Sequence, residues 1–116
     1  MANILMDAIP DPRSYRFILK DLSDKLSKRD LGMIKFICAD HVPASELEKL
    51  DNGFNVWKSL EDKGYLGQND YTLLEEILYL AGRIDLVRTL SSNVKKVENR
   101  IKRGDTLLSQ FRYSIY

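Results

Sequence analysis

The sequence contains few of the residues on which metal sites, disulfides and charge-driven binding depend. It has one cysteine, one histidine and three prolines in 116 residues. A single cysteine forms no internal disulfide, which favours a reducing compartment. One cysteine and one histidine also supply too few ligands for a typical structural zinc site. The formal net charge is only +1, so no overall charge attracts the chain to nucleic acid or to a membrane surface.

Long hydrophobic runs and catalytic motifs are also missing. The apolar runs are a few residues long, which excludes a membrane-spanning helix, and the N-terminus does not have the basic and apolar regions of a signal peptide. The sequence has no G-x-G-x-x-G motif and no P-loop. Cys38 falls on a predicted apolar stripe, and His41 stands close to a proline at a predicted helix end. We therefore expect a cytoplasmic protein with no catalytic, cofactor or metal site and with neither nucleic-acid nor membrane partners.

Apolar residues recur at intervals of three and four along most of the chain, which is the pattern of amphipathic helices and not of strands. The pattern predicts six helices with short connections, and hence a compact antiparallel bundle. Ser14 is placed to cap the first helix, and Ser27, three residues before Asp30, resembles a capping box that starts the second. The remaining predicted helices cover residues 44–50, 54–63, 71–81 and 83–102, and Asn69 or Asp70 is placed to cap the third of these.

The apolar stripes of these helices define a predicted core. On the sixth predicted helix, the apolar positions fall within a sector of about 100°. The basic residues in the second half of this helix lie on the face opposite the apolar positions, and Glu98 interrupts them. We therefore interpret them as a solvated face and not as a nucleic-acid site. The residues predicted to be largely buried are Leu22, Leu26, Leu31, Ile34, Trp57, Leu74, Ile77, Leu78, Leu86, Val87 and Leu90.

Four segments follow an order that is typical of one protein family. They are Leu31–Cys38 in the second helix, Phe54–Glu61 in the fourth, Leu73–Leu78 in the fifth, and the R-x-D-L motif at Arg83–Leu86. On these residues, the sequence from about residue 15 to residue 90 resembles the death effector domain. The resemblance implies an all-α, six-helix antiparallel Greek-key bundle, the death fold. It also implies a homotypic protein-interaction module and not an enzyme.

The resemblance divides the chain into three parts. Residues 1–13 are expected to be an N-terminal extension, residues 14–104 the death effector domain, and residues 105–116 a C-terminal extension. Residues 109–116 are similar to residues 14–19, so the tail is open to two interpretations. It is either the start of a second death effector domain, as in the tandem domains of initiator procaspases and FLIP-type regulators, or an amphipathic extension.

The resemblance also implies a charge triad formed by Asp30, Arg83 and Asp85. The planar guanidinium of arginine is able to reach two carboxylates at once, and such a network fixes the geometry of a polar surface. An alternative interpretation is that Asp30 only caps the second helix and Asp85 only lies in the first turn of the sixth. The two interpretations are compatible.

A hydrophobic interaction patch is predicted on the second helix. Phe36 lies more than about 100° from the core stripe of that helix, so we expect it to be exposed unless a neighbouring helix covers it. The resemblance matches Phe36 and Ile37 to the hydrophobic pair of the family. On the first helix Phe17 lies opposite the apolar stripe, where the N-terminal extension is an alternative cover. The predicted patch consists of Phe36, Ile37, Met33 and Phe17.

The partners that the resemblance implies are other death effector domains, in FADD-type adaptors, initiator procaspases and FLIP-type proteins. The resemblance also implies that the domain self-associates into oligomers or filaments. The implied function is the assembly of apoptotic death-inducing signalling complexes, which recruits or activates an initiator caspase. Two alternatives stay open: a FLIP-type decoy that docks the same partners and limits assembly, and a single-domain death-fold scaffold.

Overall fold

The computed structural model describes residues 14–68 and 70–109 of the chain. Within these ranges the chain is helical and has no strand, apart from one isolated bridge between Gly67 and Asp70. None of the described helices is both long enough and apolar enough to cross a lipid bilayer. In chain order the α-helices are α1 (Tyr15–Asp24), α2 (Lys28–Ile37), α3 (Ala44–Leu47), α4 (Gly53–Asp62), α5 (Thr72–Leu80), α6 (Ile84–Leu90) and α7 (Val94–Arg103).

Side-chain oxygens fix the starts of four helices. Ser14 accepts a hydrogen bond from a backbone N–H in the first turn of α1, and Asn52 and Asn93 do the same for α4 and α7. At the start of α2, Ser27 and Asp30 form a reciprocal capping box, as their spacing predicted. Each cap satisfies backbone N–H groups that have no partner within the helix itself. These local signals explain why the helix starts follow closely from the sequence.

The core lies between α5 and the helices around it. Helix α5 packs against α2, α6 and α7, while α1 packs against α4. Trp57 of α4 is fully buried, as are Ile77 and Leu78 of α5. Gly53 allows α4 to begin directly beside the end of α1, because a Cβ atom there would lie only 2.6 Å from Leu26 Cδ1. The structure therefore confirms the all-α prediction.

Three of the predicted core residues lie at the edge of the bundle. Leu26, Leu31 and Leu90 are only partly buried and pack against the core, whereas the other eight are buried. Leu26 follows the end of α1, Leu31 is in the first turn of α2, and Leu90 is the last residue of α6. Residues at helix ends are covered on fewer sides than residues in helix centres. The periodicity alone did not distinguish these positions.

The prediction of one continuous sixth helix was wrong, because the segment forms two helices, α6 and α7. Ser91 adopts an extended backbone conformation, which ends α6. The Ser91 hydroxyl donates a hydrogen bond to the carbonyl of Asn93 and accepts one from the N–H of Asn93. The side chain of Asn93 then caps α7. Short polar side chains compete with helical backbone hydrogen bonds in this way. The third helix is also shorter than predicted, a single turn at Ala44–Leu47.

Candidate functional site

The structure brings together the three residues of the predicted charge triad. The Nη1 atom of Arg83 donates a hydrogen bond to Asp30 Oδ2 at 2.5 Å, and it also donates to the backbone carbonyl of Lys25 at 2.9 Å. The Nε and Nη2 atoms of Arg83 donate to the two carboxylate oxygens of Asp85 at 3.0 and 2.9 Å. The guanidinium therefore links the α1–α2 connection, the first turn of α2 and the first turn of α6.

The two carboxylates of the triad differ in exposure. Burial alone would raise the pKa of Asp30, but hydrogen bonds from Ser27 and Arg83 outweigh burial and hold that pKa below its usual value. The hydrogen bonds from Arg83 lower the pKa of Asp85 as well. The side chain of Asp30 is 12% exposed and that of Asp85 is 64% exposed. Asp30 thus supports the structure of the network, while Asp85 presents charge to solvent.

Phe36 projects from α2 into solvent. Its exposure is 78%, whereas Ile34, two residues earlier on the same helix, is fully buried. No neighbouring helix within the described residues covers the ring to any large extent. Met33 is 39% exposed, and Ile37 is partly buried against the core. An exposed aromatic beside other apolar atoms is a typical feature of a contact surface.

A shallow groove with a volume of about 350 Å³ runs beside Phe36. Its lining joins α2 to the last described part of the chain: Phe36, Ile37, Asp40, His41, Leu80, Ile101, Gly104, Thr106, Leu108 and Ser109. Two of the four predicted patch residues line it, while Met33 and Phe17 lie outside it. Phe17 on α1 is partly exposed, and residues 1–13, which were considered as its cover, lie outside the described residues.

Sequence reasoning did not identify Leu80 as part of this surface. Leu80 is 43% exposed and lines the groove together with Phe36 and Ile37 of α2. By the helical period it lies about 60° from Ile77 and only about 20° from Leu73, which is buried, so the period alone did not mark Leu80 as exposed. Leu108 had no signal either, because its position depends on how the chain returns after α7.

Two observations on the described residues concern metal binding and nucleophilic chemistry. Within the described ranges, no group of three or more His, Cys, Asp and Glu side chains is arranged to hold a metal ion. Cys38 is buried at the end of α2, and burial raises the pKa of its thiol to about 12. Such a thiol is protonated at neutral pH and is a poor nucleophile.

Comparison with known proteins agrees with the motif pattern. The family model of the death effector domain matches residues 15–96. The chain belongs to the death effector domain family. Death effector domains are protein-interaction modules that are associated with apoptosis, and the domain itself is not catalytic. The all-helical bundle is thus a death fold, in which α6 and α7 together occupy the place of the predicted sixth helix.

Several relatives share this death effector domain region. Caspase-8 from Rattus norvegicus is 26% identical over 104 residues, which is 88% of this chain and 22% of the relative. The FAS-associated death domain protein from Mus musculus is 33% identical over 76 residues, 66% of this chain and 37% of the relative. Astrocytic phosphoprotein PEA-15 from Homo sapiens is 26% identical over 73 residues, 63% and 56% respectively. The chain spans about a fifth of the length of caspase-8.

Proposed function

We propose that this death effector domain assembles apoptotic signalling complexes through contacts with other death effector domains, and that it thereby recruits or activates an initiator caspase. The observation that carries the proposal is the exposure of Phe36 on a helix whose opposite face is in the core. Apolar area of this kind gains free energy when a partner covers it. Its proposed partners are the death effector domains of FADD-type adaptors, initiator procaspases and FLIP-type proteins, in the cytoplasm.

The charge triad supports the same proposal from another side of α2. Arg83 and Asp30 hold the start of α2 against the start of α6, so the polar surface has a fixed geometry before any partner binds. The exposed carboxylate of Asp85 is available to a basic group. Two different surfaces on one domain allow head-to-tail contacts, which do not close on themselves and therefore extend into oligomers or filaments.

The test compares two exposed aromatic residues. Phe36→Ala should retain the helical circular dichroism signal and the stability of the wild type within about 0.5 kcal/mol, because the ring is not packed in the core. It should weaken binding to a partner death effector domain by more than about 2 kcal/mol, since a few aromatic residues carry most of the energy of an interface. Phe54→Ala on α4 removes another exposed ring (45% exposed) and serves as the matched control.

Binding is measured by sedimentation and by pull-down with the death effector domains of caspase-8 and of the FAS-associated death domain protein. Equal binding by wild type and Phe36→Ala would remove Phe36 from the interface. A Phe36→Ala protein that unfolds would place the ring in the core. Adding the chain to polymerising caspase-8 death effector domains separates the two directions of regulation: faster growth supports recruitment, whereas arrested growth supports the FLIP-type decoy.

A further inference from the structure

A buried carboxylate on α5 holds the chain that follows α7. The side chain of Glu76 is fully buried, which charged residues almost never are unless they are paired. Its Oε1 atom accepts a hydrogen bond from the backbone N–H of Leu107 at 3.0 Å. Its Oε2 atom accepts one from the backbone N–H of Leu108 at 3.3 Å. The carboxylate therefore binds a segment that is 31 residues away in sequence.

Thr106 completes the contacts of this turn. Its Oγ1 atom accepts a hydrogen bond from the backbone N–H of Ser109 at 3.0 Å, and its hydroxyl donates to Ser109 Oγ at 2.9 Å. Residues 107–109 have a helical backbone. The N–H groups at the start of a helical turn have no partner within that turn. Here, three consecutive N–H groups find side-chain acceptors, two of them on Glu76.

The surroundings of Glu76 make it unfavourable for the turn to separate from its carboxylate. Burial raises the pKa of Glu76, while the N–H groups of Leu107 and Leu108 and the positive charge of Arg100 act in the opposite direction. Arg100 Nε lies 3.7 Å from Glu76 Oε1, and Arg100 also donates a hydrogen bond to Glu75 at 3.2 Å. If the turn moved away, a buried carboxylate would lose both of its hydrogen-bond donors, which is unfavourable.

We propose that Glu76 acts as a latch, which fixes the turn at residues 106–109 against α5. The turn lies beyond residues 15–96, the part matched by the family model. It also supplies Leu108 to the groove beside Phe36, so the latch shapes one wall of that groove. The latch is an intramolecular contact, and its test does not depend on the identity of any partner.

Amide hydrogen exchange in the full chain, followed by NMR, tests the latch. In Glu76→Gln the protection of the backbone amide of Leu107 or Leu108 should fall about tenfold or more. The neutral side chain of glutamine is a weaker hydrogen-bond acceptor than a carboxylate, and it has only one acceptor oxygen. Amides of α4, including that of Leu60, should keep their protection. Glu75→Gln is the matched control, since Glu75 contacts Arg100 but neither amide. Unchanged protection at residues 107 and 108, or an equal loss in every helix, would overturn the latch.

A second variant tests the coupling without changing the charge. Thr106→Val removes the acceptor for the N–H of Ser109 and should loosen the turn. Glu76 then keeps its two donors for less of the time, so its pKa, measured by 13C NMR of the carboxyl group, should rise above that of the wild type. A pKa that is the same in Thr106→Val and in the wild type would show that the turn and the carboxylate are independent, and would also overturn the proposal.

Discussion

Two arginine–carboxylate networks in this domain use the same chemistry in opposite ways. In the first, Arg83 joins Asp30 to Asp85, and the carboxylate of Asp85 remains 64% exposed. In the second, Arg100 lies between Glu75 and the fully buried Glu76. The first network leaves a charge on the surface of the domain. The second uses its charges to hold α7 and the turn after it against α5.

The difference shows why the type of residue alone does not define a binding site. A charged pair at the surface is weakly stabilising, because water solvates both groups and screens their attraction. A buried charge is costly to leave without partners, so its removal or exposure affects the fold first. Variants of the two networks should therefore separate effects on stability from effects on assembly.

The largest effect is expected from removing the arginine of the buried network. Arg100→Ala leaves Glu76 buried without its nearby positive charge and should lower the free energy of unfolding by about 3 kcal/mol or more. Arg83→Ala leaves Asp30 with its hydrogen bond from Ser27 and should cost less, about 1–2 kcal/mol. Urea denaturation measures both. Lys96→Ala, at an exposed position on α7, is the control, and its effect should stay within about 0.5 kcal/mol. Equal costs for the two arginine variants would contradict the comparison.

A smaller effect on stability is expected at the exposed end of the triad. Asp85→Asn should change the free energy of unfolding by no more than about 1 kcal/mol, because its carboxylate is largely solvated. If the triad is part of the interface, the same change should weaken assembly with partner death effector domains. Sedimentation of Asp85→Asn beside the wild type measures this directly. Normal assembly of Asp85→Asn would restrict the triad to a structural role.

The smallest expected effect is a difference in pH dependence. The folded-state pKa of Asp30 is lowered, so its contribution is present above the usual value of about 3.9 and is lost as pH falls through the lower folded value. The folded-state pKa of Glu76 is raised, so its ionised carboxylate costs stability at pH values above the folded pKa. That cost disappears as the pH falls through the folded pKa. On acidification, the stability of wild type relative to Glu76→Gln should therefore rise, and relative to Asp30→Asn it should fall. Urea titrations at several pH values measure both differences, and equal signs would contradict them.

Local sequence signals predicted much of this structure. The capping box at Ser27 and Asp30 joins residues three positions apart, so spacing was sufficient to predict it. The charge triad, which includes the contact between Arg83 and Asp85, was predicted from the family resemblance. The position of Phe36 followed from the helical period. The partner-binding role of these residues stays a prediction, because it depends on a second molecule. The domain boundaries also stay a prediction, and most of the predicted repeat in the tail falls outside the described residues.

Other features depend on tertiary structure and had weaker signals. Glu76 lies about 100° or more from Leu74, Ile77 and Leu78, which were predicted to be buried, so the helical period gave no signal of its burial. Its acceptance of hydrogen bonds from Leu107 and Leu108 depends on the path of a distant segment. The break between α6 and α7 was concealed because apolar residues keep the helical period across it. In that segment the short polar residues at 91–93 outweighed the periodicity.

The position of Trp57 has a spectroscopic consequence. It is the single tryptophan of the chain, and it is fully buried in α4. Its fluorescence emission therefore reports the integrity of the core, and unfolding should shift that emission to longer wavelength. Phe36 is highly exposed, so association through its surface should leave the emission maximum unchanged. Among variants that do not assemble, the tryptophan emission therefore distinguishes those that fail to fold from those that fold normally.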